Sequence, residues 1–140
     1  MTDTPADGPD GDVAADVRER IESDPFCASI GVELVELGEG TARTRLRVTD
    51  DHLNFHGTLH GGACYSLADA AFAAASNSRG ETAVALETNV SYLDAVEPGE
   101  TLEATAEETH RSSRTAEYDV VVSTSDGDRI ATFRGRVYLP

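Results

Sequence analysis

The chain has no lysine and no tryptophan, and only one methionine and two cysteines in 140 residues. Cys27 and Cys64 are too few and too scattered to build a disulfide framework or a metal knuckle. Each sits among small apolar neighbours, as a core or near-core side chain does. No apolar run is long enough to cross a bilayer, and no basic start with an apolar centre marks a secretory leader. These absences predict a cytoplasmic protein. With lysine missing, 11 arginines face 26 aspartates and glutamates, a formal net charge of −15. Such a chain has no basic surface to displace counterions from phosphate, so nucleic acid is excluded as a partner. An anionic membrane surface is disfavoured for the same reason. Self-repulsion weakens such a fold at low salt and is screened at high salt. The absence of lysine with an excess of carboxylates resembles proteins of a high-salt cytosol, which is the expectation here.

What remains is enough for one domain with one core. Residues 1–11 are acidic and broken by proline and glycine, and are expected to be a disordered tail before a single domain at 12–140. Asp12 is a candidate cap for a short helix with Val13, Val17 and Ile21 on one stripe, ending before Pro25. Residues 30–37 read as a strand and Gly38-Glu39-Gly40 as a turn. Then Ala42, Thr44, Leu46 and Val48 alternate with Arg43, Arg45, Arg47 and Thr49, a strand with one wet face. The same period returns around Val84–Tyr92, Leu102–Glu107, Tyr118–Val122 and Ala131–Val137, with Asp126-Gly127 as a hairpin turn. Residues 63–78 differ: they are alanine-rich and apolar on nearly every side, so they predict a buried helix. The order strand, strand, helix, four strands predicts an α+β domain in which an antiparallel sheet wraps around one long central helix.

That helix carries a single charge, Asp69. A carboxylate in apolar surroundings is costly unless it is paired, and is otherwise a candidate base or nucleophile with a shifted pKa. The helix starts at Gly61-Gly62, where the lack of Cβ atoms lets a ligand approach free N–H groups suited to a developing oxyanion. A tight turn needing glycine explains the same pair. His52, His56 and His60 are spaced by four, but Asn54, Gly57 and Thr58 between them indicate a loop. No carboxylate or cysteine completes a metal set there. His60 is expected to hydrogen-bond backbone or substrate, and His52 to be solvated. Nucleophile-elbow, phosphate-loop and dinucleotide motifs are absent. The stretch His110-Arg111-Ser112-Ser113-Arg114-Thr115 between two strands is either a solvated hairpin tip or a grip for phosphates.

The run from His52 to Gly80, with its Asn-x-x-Gly-x-x-His-Gly-Gly and Leu-Ala-Asp spacing, closely resembles the hallmark segment of the PaaI-like hotdog thioesterases. Val90-Ser-Tyr-Leu, Pro98-Gly-Glu, Arg114-Thr115 and Ala131-Thr-Phe-Arg-Gly continue the likeness over roughly residues 26–138. The resemblance implies a hotdog fold and hydrolysis of acyl-CoA thioesters, often aryl or arylacetyl and here also conceivable as medium-chain. It implies no cofactor beyond the CoA of the substrate. It also implies a homodimer or homotetramer whose active sites cross the dimer interface. By the same resemblance Asp69 is the nucleophile or general base, the Gly61 N–H polarises the carbonyl, and Asn54 and His60 position water and substrate. Gly62, Tyr92 and Arg111, Ser112, Ser113, Arg114 and Thr115 form the CoA-binding edge. One departure stands out: the position where some relatives carry a helper Ser or Thr is Ala85 here, unless the register moves to Glu87 or Thr88. The pocket lining is expected from Leu53, Phe55, Tyr65, Phe72 and Tyr92.

Two other functions fit the same pattern less well. A hydratase of this fold pairs a carboxylate with a catalytic histidine and brings a proline into the entry before the helix, which this chain lacks. A non-catalytic acyl-CoA sensor has no use for a carboxylate beside a thioester.

Overall fold

The computed structural model describes residues 13–140; the acidic tail and the candidate cap Asp12 lie outside the described residues. The first helix, α1 (Ala15–Glu22), starts after Ala14, and α2 (Pro25–Ile30) follows. This second helix is not apparent in the alternation of the sequence. Its signals are local: Asp24 caps it by accepting from the Cys27 N–H at 3.0 Å, Pro25 opens it, and Gly31 closes it in the left-handed region at φ 85°.

Six strands follow the expected order around one helix: β1 (Glu33–Gly38), β2 (Thr41–Arg47), α3 (Gly61–Ser76), β3 (Val84–Tyr92), β4 (Thr101–Arg111), β5 (Thr115–Thr124) and β6 (Arg129–Tyr138). They form one antiparallel sheet in the order β1-β2-β4-β5-β6-β3. The buried helix expected at 63–78 begins at the two glycines instead, because His60 supplies the cap. It ends at Asn77, and the Ser78 hydroxyl both donates to Ala75 O and accepts from Gly40 N, tying the helix end to the β1–β2 turn.

Small side chains set the distance between helix and sheet. Ala42, Ala104, Ala106 and Ala116 are fully or almost fully buried under α3, while Leu46, Leu102, Val120 and Val122 fill the space between. Phe72 lies over Gly135, where an added Cβ would stand 2.6 Å from the ring. Phe72 is therefore a core residue packed edge-on against Tyr118, not part of a pocket lining. Thr44 is buried by donating its hydroxyl to Leu67 O at 2.9 Å.

β3 departs from the expected half-buried strand. It pairs only with β6, a bulge interrupts it between Ala85 and Glu87, and most of its residues are exposed on both faces. Val84, Leu86, Tyr92 and the adjoining Leu93 are about half exposed, leaving an apolar free edge.

Candidate active site

α3 is apolar toward the sheet and carries Asp69 on its outer side. Asp69 has no hydrogen bond or ion pair among the described residues. Burial pushes its pKa up from the ordinary carboxylate value, and the nearby negative charge of Asp24 pushes it further. A cleft of about 600 Å³ opens beside it, lined among others by Ile21, Asp24, Cys27, Leu34, Ala70 and Ala73. Cys27, a free thiol in this wall, is pushed up to about 11 by burial, then by Asp24 and Asp69. The carboxylate is thus a partly buried, unpaired base near a cleft of mixed polar and apolar lining.

The start of α3 separates the two glycines. His60 turns its imidazole back so that Nδ1 accepts from the Gly62 N–H at 2.8 Å, which leaves Nε2 as the protonated, outward-facing nitrogen. Gly62 is therefore occupied as a cap partner, while the Gly61 N–H has no acceptor among the described residues. The ring of Tyr92 covers this turn: its hydroxyl donates to Gly61 O at 3.1 Å, and an added Gly61 Cβ would stand 3.3 Å from the ring. The free donor, the positive end of the helix and an absent side chain coincide at Gly61.

The loop before the helix is closed by its own hydrogen bonds. The Asn54 N–H donates to Thr58 O at 2.8 Å, and Asn54 Oδ1 accepts from the N–H groups of His56 and Thr58. Gly57 takes the tip at φ 84°. The Asn54 carboxamide oxygen is consumed in this turn, so only its NH₂ remains to hold water or a substrate oxygen. His52 is not solvated as expected: Nδ1 accepts from Thr49 N at 3.0 Å and Nε2 meets Ile30 O at 2.6 Å, pinning the loop to the end of α2. The sequence conceals this because both partners are backbone groups.

The other predicted positions separate. Arg111 pairs with Glu81 and Glu108, and Arg114 donates to the Tyr138 hydroxyl. Ser112 closes the β4–β5 turn against Thr115, and Ser113 is exposed at its tip. On β3, Glu87 faces Arg136, and Thr88 exchanges a hydrogen bond with the Tyr65 hydroxyl at 2.7 Å. Ala85 is exposed and offers no hydroxyl. Among the described residues no group of His, Cys, Asp and Glu gathers as a metal set.

An antiparallel sheet wrapped on one long helix is the hotdog arrangement. The chain matches the thioesterase superfamily model over residues 56–131 and belongs to that family of thioester hydrolases. The acyl-coenzyme A thioesterase PaaI of Escherichia coli K12 is 37% identical over 115 residues, covering 82% of each chain. Its solved structure matches with a TM-score of 0.85 over 88% of this chain and 89% of that one, at 35% identity. A mutant of the phenylacetic acid degradation protein PaaI of Thermus thermophilus matches at 44% identity and TM-score 0.81, covering 84% of this chain and 100% of the other. A Streptococcus mutans protein bound to acetyl CoA matches at 27% identity and TM-score 0.74, over 78% and 88% of the two chains.

Proposed function

We propose that the protein hydrolyses acyl-CoA thioesters, aryl, arylacetyl or medium-chain, at sites that two copies of the chain build together. The observation that carries this reading is the separation of two unsatisfied groups. Asp69 and the Gly61 N–H stand eight residues apart on one helix, about 12 Å along its axis. That is too far for one chain to polarise a thioester carbonyl and attack it at once.

A twofold axis through the outer face of α3 removes the separation, because antiparallel copies of the helix bring Asp69 of one chain opposite Gly61 of the other. The free, apolar edge of β3 supplies a surface for such a pairing. In the joint site Gly61 N–H donates to the carbonyl oxygen, the Asn54 NH₂ and the His60 Nε2–H orient substrate and water, and Asp69 of the partner attacks or deprotonates water. The acyl–sulfur bond breaks and CoA leaves as the thiol. Asp69 is the stronger base for its burial and for the charge of Asp24 near it. With Ala85 lacking a hydroxyl, water activation rests on Asp69 and Asn54.

Gly62, Tyr92 and the 111–115 turn border the CoA path. Arg111 is already engaged by two glutamates, so Arg114, with Ser112, Ser113 and Thr115, carries the phosphate contact. CoA is part of the substrate and no further cofactor is invoked. The working form is a homodimer or a tetramer of such dimers in a high-salt cytosol. That E. coli PaaI is named an acyl-coenzyme A thioesterase and that the S. mutans protein holds acetyl CoA support the substrate class.

The test is thiol release from aryl- and aliphatic-CoA esters in molar KCl, wild type beside Asp69→Asn. Release by the wild type and its loss in the variant is expected. Undiminished turnover in the variant sinks the assignment of Asp69, and tight ester binding without turnover by the wild type supports a sensor instead.

A further inference from the structure

One large apolar side chain is presented to solvent more fully than any other described. Phe55 is 93% exposed, whereas Phe26, Tyr92, Leu93, Leu86 and Val84 range from 59% down to 47%. Among the described residues its one ring contact is the neighbouring His56, with centroids 4.2 Å apart. A flexible loop would fold such a ring inward, but this loop has no freedom to do so. Leu53 bridges Leu59, Gly57 N donates to Asn54 O at 3.0 Å, and Leu59 N donates to Val96 O at 2.9 Å. His60 N donates to His52 O at 2.8 Å, and the His52 ring is itself anchored on Ile30 O. Phe55 is thus held away from its own core by a closed turn, one residue after Asn54 in the loop that leads into Gly61.

We propose that Phe55 is the specificity-determining contact for the acyl group, its ring covering the hydrocarbon part of a thioester bound at Gly61. This rests on the reading of the site given above. The two arms of an acyl-CoA ester differ in chemistry: one is a chain of amides and a hydroxyl that ends in phosphates, the other is hydrocarbon. A bare phenyl ring matches only the second. Its one ring neighbour among the described residues is the tilted His56 imidazole. The phenyl ring itself favours acyl groups with a broad apolar surface, aryl or medium-chain, and gains nothing from an acetyl group. The cleft near Asp69 has Leu34, Ala70 and Ala73 among its walls beside the charged Arg20, Asp24 and Glu33, and no aromatic ring. Phe55 of the facing copy would supply one.

Phe55→Ala and Phe55→Leu are compared with wild type on phenylacetyl-CoA, octanoyl-CoA and acetyl-CoA, with sedimentation velocity run on each. The expected result is a fall in kcat/KM of about tenfold or more on the two larger esters in Phe55→Ala, with acetyl-CoA nearly unchanged. Phe55→Leu should recover octanoyl-CoA more than phenylacetyl-CoA. An equal fall on all three esters, no fall on any, or dissociation of the oligomer overturns the proposal, the last because the ring would then be packing between subunits. A second arm titrates phenylacetyl-CoA and free CoA into Asp69→Asn with and without Phe55→Ala. Selective loss of affinity for the ester supports the contact even if Asp69 proves not to be the catalytic carboxylate, and equal affinities refute it.

Discussion

The β4–β5–β6 side of the sheet and the β3 edge with the loop before α3 obey opposite rules. On the first, alternate residues such as Ala104, Tyr118, Val120, Phe133 and Val137 are buried, and the Glu108 carboxylate among them is paired. It accepts from the Tyr118 hydroxyl at 2.8 Å and from the Arg79 guanidinium, which also faces Glu39. On the second, apolar side chains face solvent and a helix-start N–H has no acceptor among the described residues, and on the adjoining α3 the Asp69 carboxylate has no counter-charge. The difference teaches where this fold keeps its stability and where it keeps its chemistry. The first region is finished within one chain, and the second leaves open the groups that the proposed dimer would complete.

The comparison is broken most severely at Asp69. Asp69→Asn should lower thioester hydrolysis by about 10²–10⁴-fold, measured as CoA thiol release. The same substitution should leave melting temperature unchanged or raise it. The folded-state pKa of Asp69 is raised, so its ionised form costs stability as pH rises through that value, and a neutral amide removes the cost. A clear fall in melting temperature would place Asp69 with the structural half. By the same sign, the acid limb of kcat/KM should lie above the ordinary aspartate range and vanish in the variant.

Gly135→Ala is the opposite lesion. A Cβ 2.6 Å from the Phe72 ring forces the core apart, and a loss of about 1–3 kcal/mol in chemical denaturation is expected. Activity per folded molecule should be largely kept. Gly61→Ala comes next: its Cβ meets the Tyr92 ring at 3.3 Å and crowds the free N–H. Activity should fall by about tenfold or more with little change in melting temperature, the inverse of Gly135→Ala.

Tyr118→Phe should cost about 1 kcal/mol, since it removes a buried hydroxyl from a partner that keeps its arginine. The Tyr118 hydroxyl is pushed up to about 12 by burial and then by Glu108. Glu108 itself is raised by burial, but hydrogen bonds from Arg79 and Tyr118 and the arginine charges outweigh this and hold it below its ordinary value. Its contribution is therefore present above the unfolded carboxylate pKa and disappears as pH falls through the lower folded value. The smallest effect concerns both regions at once: with a net charge of −15, melting temperature should rise with KCl. A fall with salt would refute the high-salt reading.

Legibility follows the same division. Alternation at Ala42–Val48 and Ala131–Val137 reports burial on one sheet face directly, so these strands appear where expected. The alanine-rich run reports a helix because it is rich in the best helix former and apolar nearly all round, although the capping histidine shifts its start to Gly61. β3 misleads because edge position is not a property of the strand's own residues. Phe72 misleads because its position one turn from Asp69 does not reveal that its ring packs over Gly135 and against Tyr118. His52 misleads because its partners, Thr49 N and Ile30 O, carry no sequence signal at all.

The sequence by itself determined the α+β order, the single charged residue on the central helix, the glycines at its start and the loop motif that marks the family. These are local or periodic properties, which a chain carries before it folds. Only the tertiary structure decided that Gly61 rather than Gly62 keeps a free N–H, that Arg111 is held by Glu81 and Glu108, and that Phe55 is carried outward on a closed turn. Each of those depends on which groups meet across the fold, and a polar group's availability is settled by its partners in space, not by its neighbours in the chain.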